Sequence, residues 1–175
     1  MNFNAKDIAK KFDSYLDSKG LKFEGVVIGG TALVLLDIIT RHTKDFDLIN
    51  HRIPEDIAEA ATEFAKAENL SLQWFNSGPT DLVKHLPNDW QTTTQIIYQG
   101  DALTFMTLSR SNLLKAKIWA YCDRTRDYDD ILHMAPTPKE LGDTAEWLYP
   151  LDTNPNWPEW VDECINNLTK GLGHE

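Results

Sequence analysis

The stretch VVIGGTALVLLDIITRHTKDFDLI, residues 26–49, decides the fold. Residues 26–28 are a short apolar run of the kind that fills a buried strand. The glycine pair at 29–30 ends that run, and residues 31–39 are apolar on nearly all sides, which predicts a buried helix. Residues 45–49 alternate between polar and apolar side chains and predict a second strand. The stretch is therefore expected to form a strand–helix–strand unit.

Two aspartates in the second strand are the first candidates for chemistry. Side chains alternate between the faces of a strand, so Asp45 and Asp47 would share one face, opposite Phe46 and Leu48. Their Cα atoms would lie about 7 Å apart, where two like charges repel unless something neutralises them. Mg²⁺ or Mn²⁺ does so, because these ions bind carboxylates together with substrate phosphate oxygens. Solvated strand faces carry the same Asp-x-Asp pattern, so the metal site is a hypothesis.

The glycine pair supplies a complementary feature. Gly29 and Gly30 have no Cβ atom, so a phosphate can approach the backbone N–H groups at the start of the predicted helix. The helix dipole favours an anion at that end. A glycine pair before a helix is often only a turn, but here the aspartates follow in the same unit. A phosphate site and a metal site would then lie side by side.

Charged residues are concentrated again in residues 113–132. Lys117 falls among the inward-facing apolar positions of a predicted helix, where a lysine must reach the surface or find an anion. Residues 124–130 then contain two arginines and three aspartates. Such a cluster is most often a solvated helix face whose charges pair with one another.

These motifs resemble the signature of the nucleotidyltransferase superfamily with the DNA polymerase β-like fold. That signature is an apolar strand, a glycine pair, a spacer, and an Asp-x-Asp motif with apolar flanks. The form found in residues 29–48 looks most like the AbiEii-type toxin branch and its uncharacterised relatives. The resemblance covers about residues 24–133 and includes, in order, Lys117, Ala120, Arg124, Arg126, Asp127 and Asp130.

The resemblance implies transfer of a nucleoside monophosphate from an NTP to a hydroxyl acceptor, with release of pyrophosphate. Mg²⁺ or Mn²⁺ would be the cofactor, and the NTP would be the co-substrate. The residues implied are Gly29, Gly30 and Thr31 for the triphosphate, Arg41 or Lys117 for added positive charge, and Asp45 and Asp47 for the metal.

The same resemblance implies that Lys117 contacts a nucleotide phosphate and that Asp127 lies in the active site, with Asp130 second to it. Many members of the superfamily carry a third carboxylate on a later strand, but residues 103–108 contain none. Either Asp101, at a predicted turn, or Asp127 replaces it, or the site lacks a general base.

Several functions are compatible with these motifs. The acceptor would be tRNA or a protein, and the AbiEii resemblance implies a toxin with an antitoxin protein as its partner. A catalytically silent module that binds a nucleotide or a partner protein is an alternative from another class. Within the enzymes, an aminoglycoside-type small molecule is a further possible acceptor.

Composition limits the location and the partners of the protein. Seventeen basic and 27 acidic residues give a net charge of −10, which argues against non-specific binding to DNA. No apolar run is long enough to span a membrane, and the first residues lack the apolar core of a signal peptide, so we expect a cytoplasmic protein. Cys122 and Cys164 lie within helical patterns and are expected to be reduced and packed.

The expected fold class is α/β (α+β), with a mixed sheet of about four to six strands, flanking helices and a helical C-terminal part. We expect one domain over residues 1–175, with a core at about 24–133 and an extension at about 137–170. Helices are predicted over residues 4–19, 54–68, 111–123, 137–149 and 159–169, and further strands over 70–75, 92–98 and 102–108.

Overall fold

A computed structural model describes residues 4–49 and 52–174, without the side chains of residues 80 and 81. The chain divides into two compact units, the first ending at Ser109 and the second beginning at Arg110. The prediction that residues 1–175 form one domain stays a prediction.

The first unit is built on a mixed sheet of five strands in the order β3-β2-β1-β5-β4. The pairs β1–β5 and β2–β3 are parallel, whereas β1–β2 and β4–β5 are antiparallel. Its elements are α1 (Ala5–Ser18), β1 (Phe23–Ile28), α2 (Gly29–Leu35), β2 (Phe46–Leu48), α3 (Glu55–Glu68), β3 (Phe75–Asn76), β4 (Gln95–Gln99) and β5 (Leu103–Thr107), with 3-10 helices at Gly78–Lys84 and Trp90–Thr93. The predicted mixed sheet with flanking helices is confirmed.

Aromatic side chains form the core beneath this sheet. Phe12 of α1 lies among Phe64, Trp74 and Phe75, with ring centroids 5.1–5.4 Å from its own. Phe46 of β2 joins the cluster 5.7 Å from Trp74, edge to face. Aromatic pairs at these distances add to the free energy gained from burial alone. The cluster therefore determines which face of β2 is buried.

Two predictions of local structure were wrong. The strand predicted over residues 70–75 is mostly a turn, and only Phe75–Asn76 pairs with the sheet. Leu72, which continued the apolar alternation, is 61% exposed. The helix predicted over 31–39 begins at Gly29 and ends at Leu35, because Asp37 adopts a left-handed conformation with φ of 59°.

A buried carboxylate joins α1 to the β4–β5 hairpin. Asp13 accepts hydrogen bonds from the backbone N–H groups of Asp101, Ala102 and Leu103 at 3.3, 2.8 and 2.7 Å. A methyl group at Gly100 would overlap with this carboxylate, so the hairpin turn closes directly onto α1. Three donors to one buried anion make a strong tertiary contact.

We expect Asp13→Ala to lower the free energy of unfolding of the first unit by about 2–3 kcal/mol, because buried N–H groups lose their acceptor. Urea unfolding of the full chain measures the change. Asp17→Ala is the matched control, since Asp17 is exposed on the same helix and should shift stability by under about 0.5 kcal/mol. Equal losses in the two variants would show that the Asp13 contacts are not stabilising.

The second unit is helical, as predicted for the C-terminal part. It contains α4 (Arg110–Arg124), α5 (Tyr128–Met134), α6 (Pro138–Leu148), a 3-10 turn at Tyr149–Leu151, and α7 (Trp157–Gly171). The capping box that starts α6 at Thr137 and Glu140 is present, and it is the reason why this helix begins where the sequence predicts. Helix α5 was not predicted as a separate element.

Both cysteines and the C-terminal tryptophans belong to the packing of the second unit. Cys122 and Cys164 are buried free thiols, and burial raises the pKa of each above its ordinary value. The indole N–H groups of Trp157 and Trp160 donate to the carbonyl oxygens of Leu148 and Cys122, so both rings are anchored at one edge. No helix within residues 4–49 and 52–174 is long and apolar enough to cross a membrane.

Candidate active site

The two aspartates stand at one end of the central strands. On β2 the side chains of Phe46 and Leu48 are fully buried, whereas Asp47 is half-buried. Asp45, which was predicted to lie in the strand, is half-buried just before it. The alternation predicted from the sequence is therefore present at Phe46, Asp47 and Leu48. Asp47 is paired across the antiparallel ladder with Ile28, the residue before the glycine turn. The register brings the metal candidates to the end of β1.

The glycine turn lies directly against Asp47. Gly29 has φ of +73°, a left-handed conformation that glycine adopts without strain, and α2 begins there. A Cβ atom at Gly29 would lie 3.3 Å from Asp47 Oδ2, and one at Gly30 would lie 2.8 Å from Arg41 Nη2. The structure thus brings together four of the residues predicted from the sequence, with a guanidinium group over the glycine turn.

Thr31 connects the turn to the acidic strand. Its hydroxyl group is buried, lies 2.8 Å from Thr43 Oγ1, and donates to the carbonyl oxygen of Asp45 at 2.5 Å. Because the hydroxyl is used within the protein, Thr31 would contact a phosphate through its backbone N–H, which is one of the first in α2. Thr43, which sequence reasoning did not select, completes the link.

Asn76 is a site residue that sequence reasoning missed. Strand β3 runs parallel to β2, and the register pairs Asn76 with Asp47. The Asn76 amide donates to Asp47 Oδ1 at 3.0 Å. The available signal was the polar residue at the end of an apolar run, but that run was interpreted as ending at Phe75.

The negative charge of Asp45 and Asp47 is only partly balanced by nearby positive side chains. Burial, and then the neighbouring charge of Asp47, raise the pKa of Asp45 above its ordinary value, while Lys44 and Arg41 act in the opposite direction. Because this pKa is higher in the folded protein than in the unfolded chain, ionisation of Asp45 costs folding free energy. Stability of the metal-free protein should therefore fall as pH rises through the raised pKa. A bound cation would remove that cost.

We expect Asp45→Asn to raise the melting temperature of the metal-free protein at pH 7, because asparagine has the shape of aspartate without its charge. Solvent screens this half-buried position, so the rise should be small, about 1–2 °C. It should shrink as pH falls and Asp45 takes up a proton, because the wild-type side chain then also carries no charge. Thermal melts with and without EDTA measure it. A variant less stable than wild type at pH 7 would contradict this description of Asp45.

The donor set fits a divalent cation that is shared with a substrate. Asp45 and Asp47 offer carboxylate oxygens. The adjacent glycine turn lies against the Arg41 guanidinium, a cation that can pair with a phosphate. No group of three or more His, Cys, Asp or Glu side chains in the described part of the chain could hold a metal ion. The aspartates would therefore need phosphate oxygens and water to complete the coordination of Mg²⁺ or Mn²⁺.

The position of Asp101 excludes it from this site. Asp101 precedes β5, whose first residue Leu103 pairs with Phe23 at the start of β1, whereas the glycine turn follows Ile28 at its end. Five residue steps at about 3.3 Å place roughly 16 Å between these two ends of the sheet. The alternative in which Asp101 replaces the third carboxylate is therefore wrong.

The second charged cluster forms a buried ion triad within the second unit. The Lys117 ammonium lies 2.6 Å from Asp127 Oδ1 and 2.7 Å from Asp130 Oδ2, and joins α4 to α5. Lys117 and Asp130 are each only 4% exposed. Arg124 Nε lies 3.9 Å from the other oxygen of Asp127, at the surface. The lysine thus has two anionic partners from its own unit. The predicted solvated face holds for the exposed Arg124, Arg126 and Asp129, and it is wrong for Asp130, which is buried against Lys117.

Comparison with known families agrees with this geometry. Residues 5–136, well over half of the chain, match the family described as "Nucleotidyltransferase of unknown function (DUF6036)". No curated protein and no solved structure matches the chain. The match includes the glycine turn, the Asp-x-Asp strand and the Lys117 triad. The chain therefore belongs to this nucleotidyltransferase family.

Proposed function

We propose that the protein transfers a nucleoside monophosphate from an NTP to a hydroxyl group, using Mg²⁺ or Mn²⁺ held by Asp45 and Asp47. One observation carries the proposal: strand pairing sets this carboxylate pair beside a glycine turn, with Asp47 Oδ2 only 3.3 Å from a Cβ placed on Gly29. Membership of a nucleotidyltransferase family supports the proposed reaction class.

The proposed site residues of the first unit would each have a role in this reaction. The N–H groups of Gly29, Gly30 and Thr31 would hold the triphosphate, and Arg41 would supply positive charge beside it. The acceptor oxygen attacks the α-phosphorus, the bond from that phosphorus to the bridging oxygen of the β-phosphate breaks, and pyrophosphate leaves. The hydroxyl proton passes to solvent or to a base. The bound cation would lower the charge barrier to attack at the α-phosphate.

Lys117 and Asp127 are not required for the proposed chemistry of the metal and the triphosphate. The ammonium of Lys117 is shared by two carboxylates of its own unit. The phosphate contact of Lys117 and the active-site role of Asp127 that the resemblance implied stay predictions. The proposed chemistry of the metal and the triphosphate needs only residues of the first unit.

A catalytically silent, nucleotide-binding module is the second candidate. It is favoured by the missing third carboxylate, because residues 103–108, which form β5 and its end, contain no acidic side chain. Such a module would bind an NTP without turnover. The proposed enzyme would release pyrophosphate.

The test uses the purified full chain with each α-labelled NTP, Mg²⁺ or Mn²⁺, and separate pools of tRNA, cell protein and aminoglycosides. The control is the double variant Asp45→Ala, Asp47→Ala. Covalent label in one pool with wild type alone would support the proposal and identify the acceptor class. NTP binding without transfer in any pool would favour the silent module.

The proposed biological role is that of a toxin paired with an antitoxin protein, and it rests on the AbiEii-type resemblance. Expression of the chain alone, beside Asp47→Ala, tests it. Growth arrest by wild type and not by the variant would support the role. Normal growth with both would remove the role without affecting the proposed chemistry.

A further inference from the structure

The contact between Asn76 and Asp47 joins two side chains on adjacent parallel strands. Asn76 Nδ2 donates to Asp47 Oδ1 at 3.0 Å, and the register places the two residues side by side on β3 and β2. Sequence separation between them is 29 residues, so the contact depends on the sheet being assembled.

The orientation of the Asn76 amide is determined by its other two partners. Its Oδ1 accepts from the backbone N–H of Gly78 at 2.9 Å, and its Nδ2 also donates to the carbonyl oxygen of Gln73 at 3.2 Å. A backbone N–H can only donate and a carbonyl oxygen can only accept. The end of the amide that faces Asp47 is therefore a donor, and a rotated amide would lose all three bonds.

Because of this donor, the two carboxylate oxygens of Asp47 have different neighbours. Oδ1 is bonded to Asn76, whereas Oδ2 is the oxygen nearest to the glycine turn, 3.3 Å from a Cβ placed on Gly29. A carboxylate at residue 76 would add a third negative charge beside Asp45 and Asp47. The amide orients Asp47 without adding charge.

We propose that Asn76 is a positioning residue for Asp47, holding the carboxylate so that Oδ2 faces the glycine turn and is available to a divalent cation. The inference rests on the proposed function, because it assumes that Asp47 binds the metal. Partners that orient a metal ligand are typically worth about 10–100-fold in metal affinity.

Titration of the full chain with Mn²⁺, followed by electron paramagnetic resonance without nucleotide, tests the inference. We expect Asn76→Ala and Asn76→Leu to raise the Kd for Mn²⁺ about tenfold or more. Leucine is branched at Cγ like asparagine and leaves no cavity, so a loss common to both variants comes from the amide and not from a cavity. The matched control is Ser71→Ala, which removes the hydrogen bond from Gln73 N–H in the same loop without touching Asp47.

Melting temperatures measured without metal separate a positioning role from a merely structural one. Lower melting temperatures in both variants with a wild-type Kd for Mn²⁺ would overturn the role of Asn76 while leaving the proposed function intact. Absence of Mn²⁺ binding by wild type, both without nucleotide and with an NTP analogue that cannot be cleaved, would overturn the proposed metal chemistry and this inference together. A weakened Kd in both variants, with Ser71→Ala unchanged, is the result that we expect.

Discussion

Replacing Lys117 by methionine is expected to lower the free energy of unfolding of the second unit by about 3–5 kcal/mol, because it removes the buried cation that two carboxylates share. Asp130 is only 4% exposed, and Lys117 is the shared partner of both Asp127 and Asp130. Hydrogen exchange of peptides from residues 110–134, measured across a urea series, reports this loss locally.

The matched control is Lys139→Met in the same unit. Lys139 forms an ion pair with Asp143 at 2.6 Å, the same distance as Lys117 to Asp127, but its side chain is 82% exposed. Exposed pairs contribute about 0–1 kcal/mol, so this variant should behave nearly as wild type. The triple variant Lys117→Met, Asp127→Asn, Asp130→Asn should recover part of the loss, because no buried charge remains. Losses of equal size in the two single lysine variants would contradict the buried-triad description.

The largest expected effect on activity comes from Asp47→Asn. The substitution keeps the shape of the side chain and removes the charge that would hold the cation, so we expect the rate of nucleotide transfer to fall by about 10²–10³-fold or more. The metal-free melting temperature should stay close to that of wild type. Label incorporation into the acceptor, measured at saturating NTP and metal, gives the rate.

Asp101→Asn is the control for charge removal in general. Asp101 is exposed and lies at the opposite end of the sheet from the glycine turn, so its loss should change the rate by less than about twofold. If the rate fell as much with Asp101→Asn as with Asp47→Asn, the assignment of the active site to the glycine turn and Asp47 would be contradicted.

The residues that the sequence identified best are those whose local pattern and tertiary environment agree. Phe46 and Leu48 alternate with Asp47, and the core accepts both apolar side chains, so β2 and its acidic face were predictable. The same reasoning failed over residues 70–75. There Ser71 and Trp74 close a backbone turn, and the Trp74 indole donates to the Ala61 carbonyl oxygen, which alternation cannot reveal.

Contacts between distant residues set the limit of prediction from the sequence. The lysine at 117 required an anion, and that much followed from its apolar neighbours, but its two partners are known only once α5 is placed beside α4. Asn76 stands as a polar residue at the end of an apolar run, but its role depends on a parallel register with β2, which that local pattern does not give. The buried hydroxyl of Thr31 is a similar case, since its acceptor lies 14 residues further along the chain.

The most direct test of the central claim is a crystal structure of the full chain with Mn²⁺ and an NTP analogue that cannot be cleaved between the α- and β-phosphates. Anomalous scattering locates the metal independently of the protein. We expect Mn²⁺ bound by both Asp45 and Asp47, with the triphosphate against the N–H groups of residues 29–31. Mn²⁺ bound away from this pair, or a triphosphate that does not touch the glycine turn, would contradict the claim.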